Sequence, residues 1–550
     1  MKFNFLKSTF GILALSITLV SYGGNAEKKE TTKKETSVAA EKIEGKVKSA
    51  KNEKKEELVF VNFRDIRDLN PHLYAGEMYA QEMLYETLIN LDKNGGYTPG
   101  LAESYTISDD GKVYTFKIRK GVKFHDGEIC DARAIKANFD AILDNKSRHT
   151  WLEMMQLLES IELIDDDTIQ IKMSKPYYPM LTELAVTRPF AMISPKAMKN
   201  GTTKDGVEAY IGTGPYKLEK NVTDEYAVFV INEDYWGEKP KIKRILVKVI
   251  PDNQTRIMAL EKGEIDFIFH KNMIDADTVK KYKDDKRFTV ALSEPTSTRQ
   301  ILLNTNNKIL KDKKVRYAIQ HATDKKAISE GIFYGLESPA ETLYAKNIPY
   351  CNIDLQPYEY NLEKSKELLK EAGWTESTDG ILSKDGEKLV LNLLYNNDSV
   401  TEKNISEYLQ SEFKKVGIQL NISGEEEQSY RDKQKNGKFD MVFNISWGTP
   451  YDPQSSMAAM RQRVYGDYEA QLGLPDKSEI DKNITNVLVT TNEEERQRIY
   501  GEILTRLHED AVYLTLTYEC NKAIYIKDLK GVEFAPTQYE VKFDKMHFAE

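Results

Sequence analysis

From Leu58 to the C-terminus the apolar residues keep switching between a period of two and a period near 3.6, and this switching limits the possible folds more than any other feature. Val113 to Arg119 alternates like a strand and runs into the turn residues Gly121 and Asp126-Gly127. Asp131 then stands where an N-cap would, ahead of Ile135, Phe139 and Ile142 at helical spacing. Ile169 to Met173 is strand-like again, as is Lys243 to Ile250, which stops at Pro251. Asn253 is placed to cap a helix through Leu260, Gly263 to end it, and Ile265 to Phe269 to follow as a strand. Val315, Ile319 and Ile328 mark one further helix, and Leu362, Leu368, Leu369 and Ala372 another. Leu389 to Tyr395 and Ile418 to Ile422 read as strands flanking a helix between Ser399 and Val416, and Phe439 to Ile445 reads as a buried strand. Strands interleaved with helices, without internal repeats, predict an α/β architecture. A chain of 550 residues is too long for one core, and roughly two to four units are expected at ~100–200 residues each.

The first residues follow a different pattern. Lys2 and Lys7 flank the start of an apolar run, Phe10 to Val20, followed by the small residues Ser21, Gly23 and Gly24. That run has the length of an export signal and falls short of the ~20 apolar residues a membrane span needs. Leu19-Val20-Ser21-Tyr22-Gly23-Gly24 is similar to a bacterial lipobox, except that Tyr22 replaces the cysteine that would carry the lipid. An exported form without that acyl anchor is therefore expected. Asn25 to Glu57 is rich in Lys, Glu, Thr and Ala and poor in large apolar residues, so it reads as a disordered tether.

Several functions are disfavoured by what the chain carries. A formal net charge of −9 argues against a nucleic-acid partner, which would require a basic face. Neither a G-x-S-x-G elbow, a P-loop, a dinucleotide fingerprint nor an H-E-x-x-H pair occurs, so no enzyme activity is expected. Cys130, Cys351 and Cys520 are odd in number and far apart, which predicts buried thiols and no disulfide framework. The acidic triplets Asp165 to Asp167 and Glu425 to Glu427 read as solvated turns. The seven histidines show no metal-ligand spacing, so a transition metal carried here would bring most of its ligands with it. Tyrosine is abundant, 31 residues against 4 Trp, which fits either a Tyr-rich core or a cleft of flat, amphipathic contacts.

Five strings, in order, resemble the extracellular solute-binding family 5, the peptide/nickel class: Asn70-Pro71-His72-Leu73-Tyr74, Leu101-Ala102-Glu103-Ser104-Tyr105, Val122-Lys123-Phe124-His125-Asp126-Gly127, Gly212-Thr213-Gly214-Pro215-Tyr216 and Asn232-Glu233-Asp234-Tyr235-Trp236. The resemblance covers the chain from Leu58 onward. It implies a two-lobed clamp, periplasmic-binding-protein-like, with an extra domain on the first lobe. The expected division is a signal peptide over 1–22, a tether over 23–57, lobe 1 with the extra domain over 58–297, lobe 2 over 298–518, and a return to lobe 1 over 519–550. It also implies a monomer on the periplasmic or extracellular side of the membrane that hands a small ligand to an ABC-transporter permease.

Within the family, Arg148 to Glu153, Arg188-Pro189-Phe190, Tyr235 to Pro240, Trp447 to Pro453 and Ile503 to His508 are similar to the nickel-binding members. Peptide-binding members usually carry an aspartate three residues after the tryptophan matching Trp447; here that place holds Pro450, which weighs against ordinary peptides. The resemblance implies that nickel is the transported cargo, held as a chelate with small carboxylate-bearing ligands, with no resident cofactor. Arg188 would grip a chelator carboxylate with its planar fork and Arg148 would add charge. Trp151 and Trp447 would stack on the chelate, Tyr430 and Tyr451 would offer hydroxyls, and Met78 would form a soft wall. Tyr465 stands where the nickel-binding members place a metal-reaching histidine, and Tyr539 where they have a smaller threonine. These departures imply a chelator that saturates the metal without direct help from the protein. The competing readings are a receptor for short peptides or another small carboxylated solute, a surface adhesin, and an unrecognised hydrolase.

Overall fold

The computed structural model describes residues 55–92, 95–270 and 273–549. The expected signal peptide, Tyr22 and nearly all of the expected tether lie outside the described residues.

One large mixed sheet organises the chain. Its strands run in the spatial order Tyr216–Val222, Tyr226–Ile231, Arg244–Val249, Glu57–Asn62, Phe267–Phe269, Tyr513–Ile526, Phe288–Leu303, Met441–Ile445, Val390–Asn396 and Gln419–Glu425. Glu57–Asn62 pairs in parallel with both of its neighbours. It carries an unbroken apolar run because both of its faces are covered: Phe60 packs with Phe229, Phe267 and Phe543, whereas Val61 packs with Ile257, Leu260 and Ile524.

Two long antiparallel strands at the centre join the halves of the sheet. Phe288 to Leu292 pairs with Lys522 to Ile526, and Arg299 to Leu302 pairs with Tyr513 to Thr517. Between these stretches the register slips twice, at Leu292/Pro295 and at Pro295/Ser297. Pro295 has no N–H to give to the ladder, and such irregularities bend and twist a strand pair. A buried charge cluster sits beside this crossing. The Arg299 guanidinium lies 2.5 Å from Glu519 and 3.5 Å from Glu337. Ser297 donates to Glu519 at 2.7 Å and Thr517 to Glu337 at 2.6 Å. Burial alone would depress the Arg299 pKa, but the two carboxylates outweigh it and hold the group above its ordinary value.

A separate four-stranded antiparallel sheet is inserted after the first strand, in the order Ala102–Ile107, Val113–Ile118, Thr168–Met173 and Leu158–Asp165. Helix Ala132–Asp144 shares its core through Ile135, Phe139 and Ile142, buried with Phe116, Ile169 and Ile171. Asp131 caps it, its carboxylate accepting the Ala134 N–H at 3.0 Å.

Two local expectations are corrected. Asp252, not Asn253, caps helix Asn253–Glu261: its backbone is extended and its carboxylate takes the Thr255 N–H at 2.8 Å, which leaves Asn253 as the first helical residue. Val315 and Ile319 belong to helix Lys313–His321 and Ile328 to a second helix, Lys325–Phe333. The break follows from Asp324, which caps the second helix by accepting the Ala327 N–H at 2.9 Å. The acidic triplets are also less idle than their composition suggests. Asp167 pairs with Lys117 and Lys120, and Glu426 caps helix Glu427–Lys435. All three cysteines are buried.

Candidate ligand site

The site is assembled from segments distant in sequence. Trp151 follows the 3-10 turn Lys146–His149 of the inserted region. Trp447 follows strand Met441–Ile445 on the other half of the large sheet. The Trp447 loop is shaped from below by Asp452, whose carboxylate accepts the Ser446 hydroxyl at 2.6 Å and the Gly448 N–H at 2.8 Å. Burial raises the pKa of Asp452 to about 6. The Ser446 and Thr449 N–H groups donate to the Thr298 and Thr296 carbonyls at 2.9 and 3.1 Å, which ties the loop to the strand crossing. Gly448 is required here: its φ is +74°, and a Cβ would lie 2.7 Å from the Gln538 amide carbon. Gln538 in turn donates to the Trp447 carbonyl, so the C-terminal segment braces the same loop.

Between these segments lies a continuous aromatic cluster. The Trp151 ring meets Trp447 edge-on at 5.7 Å and Tyr451 at 5.8 Å. Trp447 also meets Tyr465 at 5.6 Å and 87°, and the Arg431 guanidinium sits 5.7 Å from the Tyr465 ring. Tyr74 adds a further face, 5.9 Å from Trp151.

Arg188 is half-buried beside this cluster. It donates once, to the Tyr74 carbonyl at 2.8 Å, and among the described residues no carboxylate lies within ion-pair distance of it. Burial pulls its pKa below the usual value, while Tyr451 and Glu82 act in the opposite direction. An arginine stays charged throughout this range and offers five donors in one plane, so most of this fork is available to an outside acceptor.

Further contacts nearby join segments distant in sequence. Arg461 pairs with Glu153, both largely buried. Ser455 donates to Glu183 at 2.9 Å, as does Tyr177 at 2.6 Å, and burial raises the pKa of Glu183 to about 7. The Arg496 guanidinium lies 3.3 Å from the centre of the Tyr178 ring.

Of the residues predicted from sequence, Trp151, Trp447 and Tyr451 are in mutual ring contact, Tyr465 joins them through Trp447, and Arg188 adjoins them through Tyr74. Arg148 is exposed next to the buried His149. Met78 is half-buried at the start of helix Met78–Leu84, whose Glu82 accepts from Thr187, the residue before Arg188. Tyr539 is 39% exposed and follows Gln538, which braces the loop. Tyr430 lies elsewhere: it is 4% exposed, and its hydroxyl donates to the Phe443 carbonyl at 2.5 Å inside the core. Sequence reasoning missed Tyr74, His149 and Asp452 as parts of the site. Each lay inside a string that carries the family resemblance: Tyr74 in Asn70 to Tyr74, His149 in Arg148 to Glu153 and Asp452 in Trp447 to Pro453. Among the described residues no three His, Cys, Asp or Glu side chains are grouped as a metal site.

Residues 96–466 match the profile of the bacterial extracellular solute-binding proteins, family 5 Middle. The chain belongs to this family. It is 40% identical over 485 residues to the nickel-binding periplasmic protein of Escherichia coli (strain K12), spanning 88% of this chain and 93% of that protein. It is also similar to the dipeptide-binding protein of the same organism, at 28% identity over 506 residues, 87% of this chain and 92% of the relative. Among solved structures, NikA from Brucella suis in complex with Fe(III)-EDTA is 44% identical at a TM-score of 0.87, over 90% of this chain and 99% of that one. NikZ from Campylobacter jejuni in complex with Ni(L-His) is 26% identical at a TM-score of 0.75, over 90% and 99%. The architecture is thus the family's α/β two-lobed clamp, and these relatives are binding proteins.

Proposed function

We propose that the chain is the exported receptor of an ABC importer and that its cargo is nickel, or a related divalent metal, as a pre-formed chelate with small carboxylate-bearing ligands. The observation that carries this reading is the Arg188 fork, held beside the aromatic cluster of Trp151, Trp447 and Tyr451 with no carboxylate within ion-pair distance among the described residues. A planar guanidinium takes a carboxylate by two parallel hydrogen bonds, and flat aromatic walls suit the faces of a compact complex. The metal would be satisfied by its chelator, in keeping with Tyr465 in place of an imidazole donor. The metal complexes named for the NikA and NikZ structures, one with the polycarboxylate EDTA and one with histidine, support the same cargo class.

This reading takes residues 58–297 and 519–550 as one lobe, 298–518 as the other, and the double register slip near Pro295 as the hinge between them. A ligand touching both Trp151 and Trp447 would favour the closed arrangement by its differential contacts. Residues 1–22 would direct export to the periplasmic or extracellular side, 23–57 would act as the tether, and the monomer would dock on the permease. Receptors for short peptides remain the second reading, favoured by the 28% identity to the dipeptide-binding relative. Calorimetry with free Ni²⁺, Ni²⁺ plus L-histidine, and a dipeptide panel tests the choice. Heat of binding only with Ni²⁺ plus histidine is expected; binding of dipeptides without metal would overturn the assignment.

A further inference from the structure

Tyr74 is the node at which the two parts of the site meet. Its backbone carbonyl accepts from Arg188 Nη1 at 2.8 Å. Its hydroxyl oxygen lies 2.9 Å from Trp151 Nε1 and 2.7 Å from His149 Nδ1. The two rings flanking Tyr74 both meet it edge-on, His149 at 5.7 Å and Trp151 at 5.9 Å.

The direction of each hydrogen bond follows from the donor inventory. An indole N–H only donates, so the Tyr74 oxygen must accept from Trp151. The tyrosine hydrogen is then free to point at His149 Nδ1, which accepts it if the imidazole proton resides on Nε2. His149 is fully buried and its Nε2 has no partner among the described residues. In this tautomer a single polar group goes unmet, the Nε2–H. In the other, with the proton on Nδ1, both the tyrosine hydrogen and the Nε2 lone pair go unmet, which costs more. Burial, with Arg148 adding to it, lowers the pKa of His149 to about 4, so the ring is neutral near pH 7.

The geometry points to Tyr74 and His149 as positioning residues: a relay running from the Trp151 N–H through the Tyr74 hydroxyl to His149 Nδ1 fixes the Trp151 wall, while the Tyr74 carbonyl holds the Arg188 fork against it. Neither residue needs to touch the cargo. That the wall serves a metal chelate rests on the function proposed above; the relay itself does not.

Three variants separate the arms. Tyr74→Phe removes only the hydroxyl and leaves the carbonyl bond to Arg188 intact. His149→Leu removes the acceptor, and His149→Gln restores one through its amide oxygen. In protein labelled with ¹⁵N at its 4 tryptophans, the Trp151 indole resonance, identified by its loss in Trp151→Phe, reports on the relay directly. Tyr74→Phe and His149→Leu are expected to shift that resonance and to speed its hydrogen exchange ~10-fold, with His149→Gln recovering most of the protection. Affinity for Ni²⁺ plus L-histidine should fall ~10-fold in the first two variants and stay within ~3-fold of the parent in the third. An unchanged Trp151 resonance in Tyr74→Phe would overturn the relay, as would His149→Gln behaving like His149→Leu. Shifts as expected in a protein that ignores the chelate would support the relay and discard the cargo.

Discussion

Two arginines of this molecule occupy opposite electrostatic situations. Arg299, at the strand crossing, is 6% exposed and paired with Glu519 and Glu337. Arg188, beside the aromatic cluster, is half-buried, donates to one backbone carbonyl and has no carboxylate within ion-pair distance among the described residues. A buried charge without a partner is costly, so such a group persists where its partner arrives from outside or where function requires it. The paired arginine supports the fold. The unpaired one is the position proposed above to take the ligand.

This contrast is broken most severely at Arg299. Arg299→Met would remove the guanidinium from the buried Glu519 and Glu337 carboxylates, with Lys522 still 4.0 Å from Glu337, and a loss of ~3–5 kcal/mol is expected in urea unfolding. Arg188→Ala should change unfolding by about 1 kcal/mol or less, since it breaks no ion pair among the described residues. Its effect is expected on binding instead: chelate affinity measured by calorimetry should fall ~100-fold or more, because the carboxylate would lose a charged, two-point contact. A large stability loss in Arg188→Ala with binding retained would reverse the comparison. Trp447→Ala should weaken binding ~10-fold or more through loss of an aromatic anchor, whereas Tyr465→Phe should change it less than ~2-fold. An equal, large loss in Tyr465→Phe would mean that its oxygen reaches the metal.

The smallest expected effect is a pH dependence at the base of the Trp447 loop. Asp452 has its pKa raised to about 6 by burial, above the ~3.9 of an unfolded aspartate. The folded chain therefore binds this proton more tightly than the unfolded one. The associated stability is present in full below the unfolded value and is lost as pH rises through about 6. Asp452→Asn keeps an oxygen for Ser446 and Gly448, so its unfolding free energy should be flatter than the parent's between ~pH 4 and 6. Parallel pH profiles for the two proteins would show that Asp452 does not titrate in this window.

The fold was readable where local and tertiary demands agree. Asp131 caps the helix that its spacing from Ile135 implied, and Ser399 caps helix Val400–Lys414 in the same way. It was misread where one residue's side chain decides between neighbours, as at Asp252 and Asp324. The site followed the same rule. Trp151, Trp447 and Arg188 stood out through the family resemblance, but Tyr430 carries the same aromatic and hydroxyl chemistry and is held in the core by the Phe443 carbonyl. His149, one of several scattered histidines in sequence, gains its place only because residue 74 folds against residue 149.

The sequence by itself determined the α/β character, because periodicity, caps and turn residues act over a few positions, and its ordered strings carried the resemblance to the family. Only the tertiary structure decided which arginine is paired, which tyrosine hydroxyl is spent, and that Tyr74 joins Arg188 to Trp151. Those outcomes depend on distances between residues far apart in the chain, and the desolvation that gives them their energy exists only once the chain has closed around them.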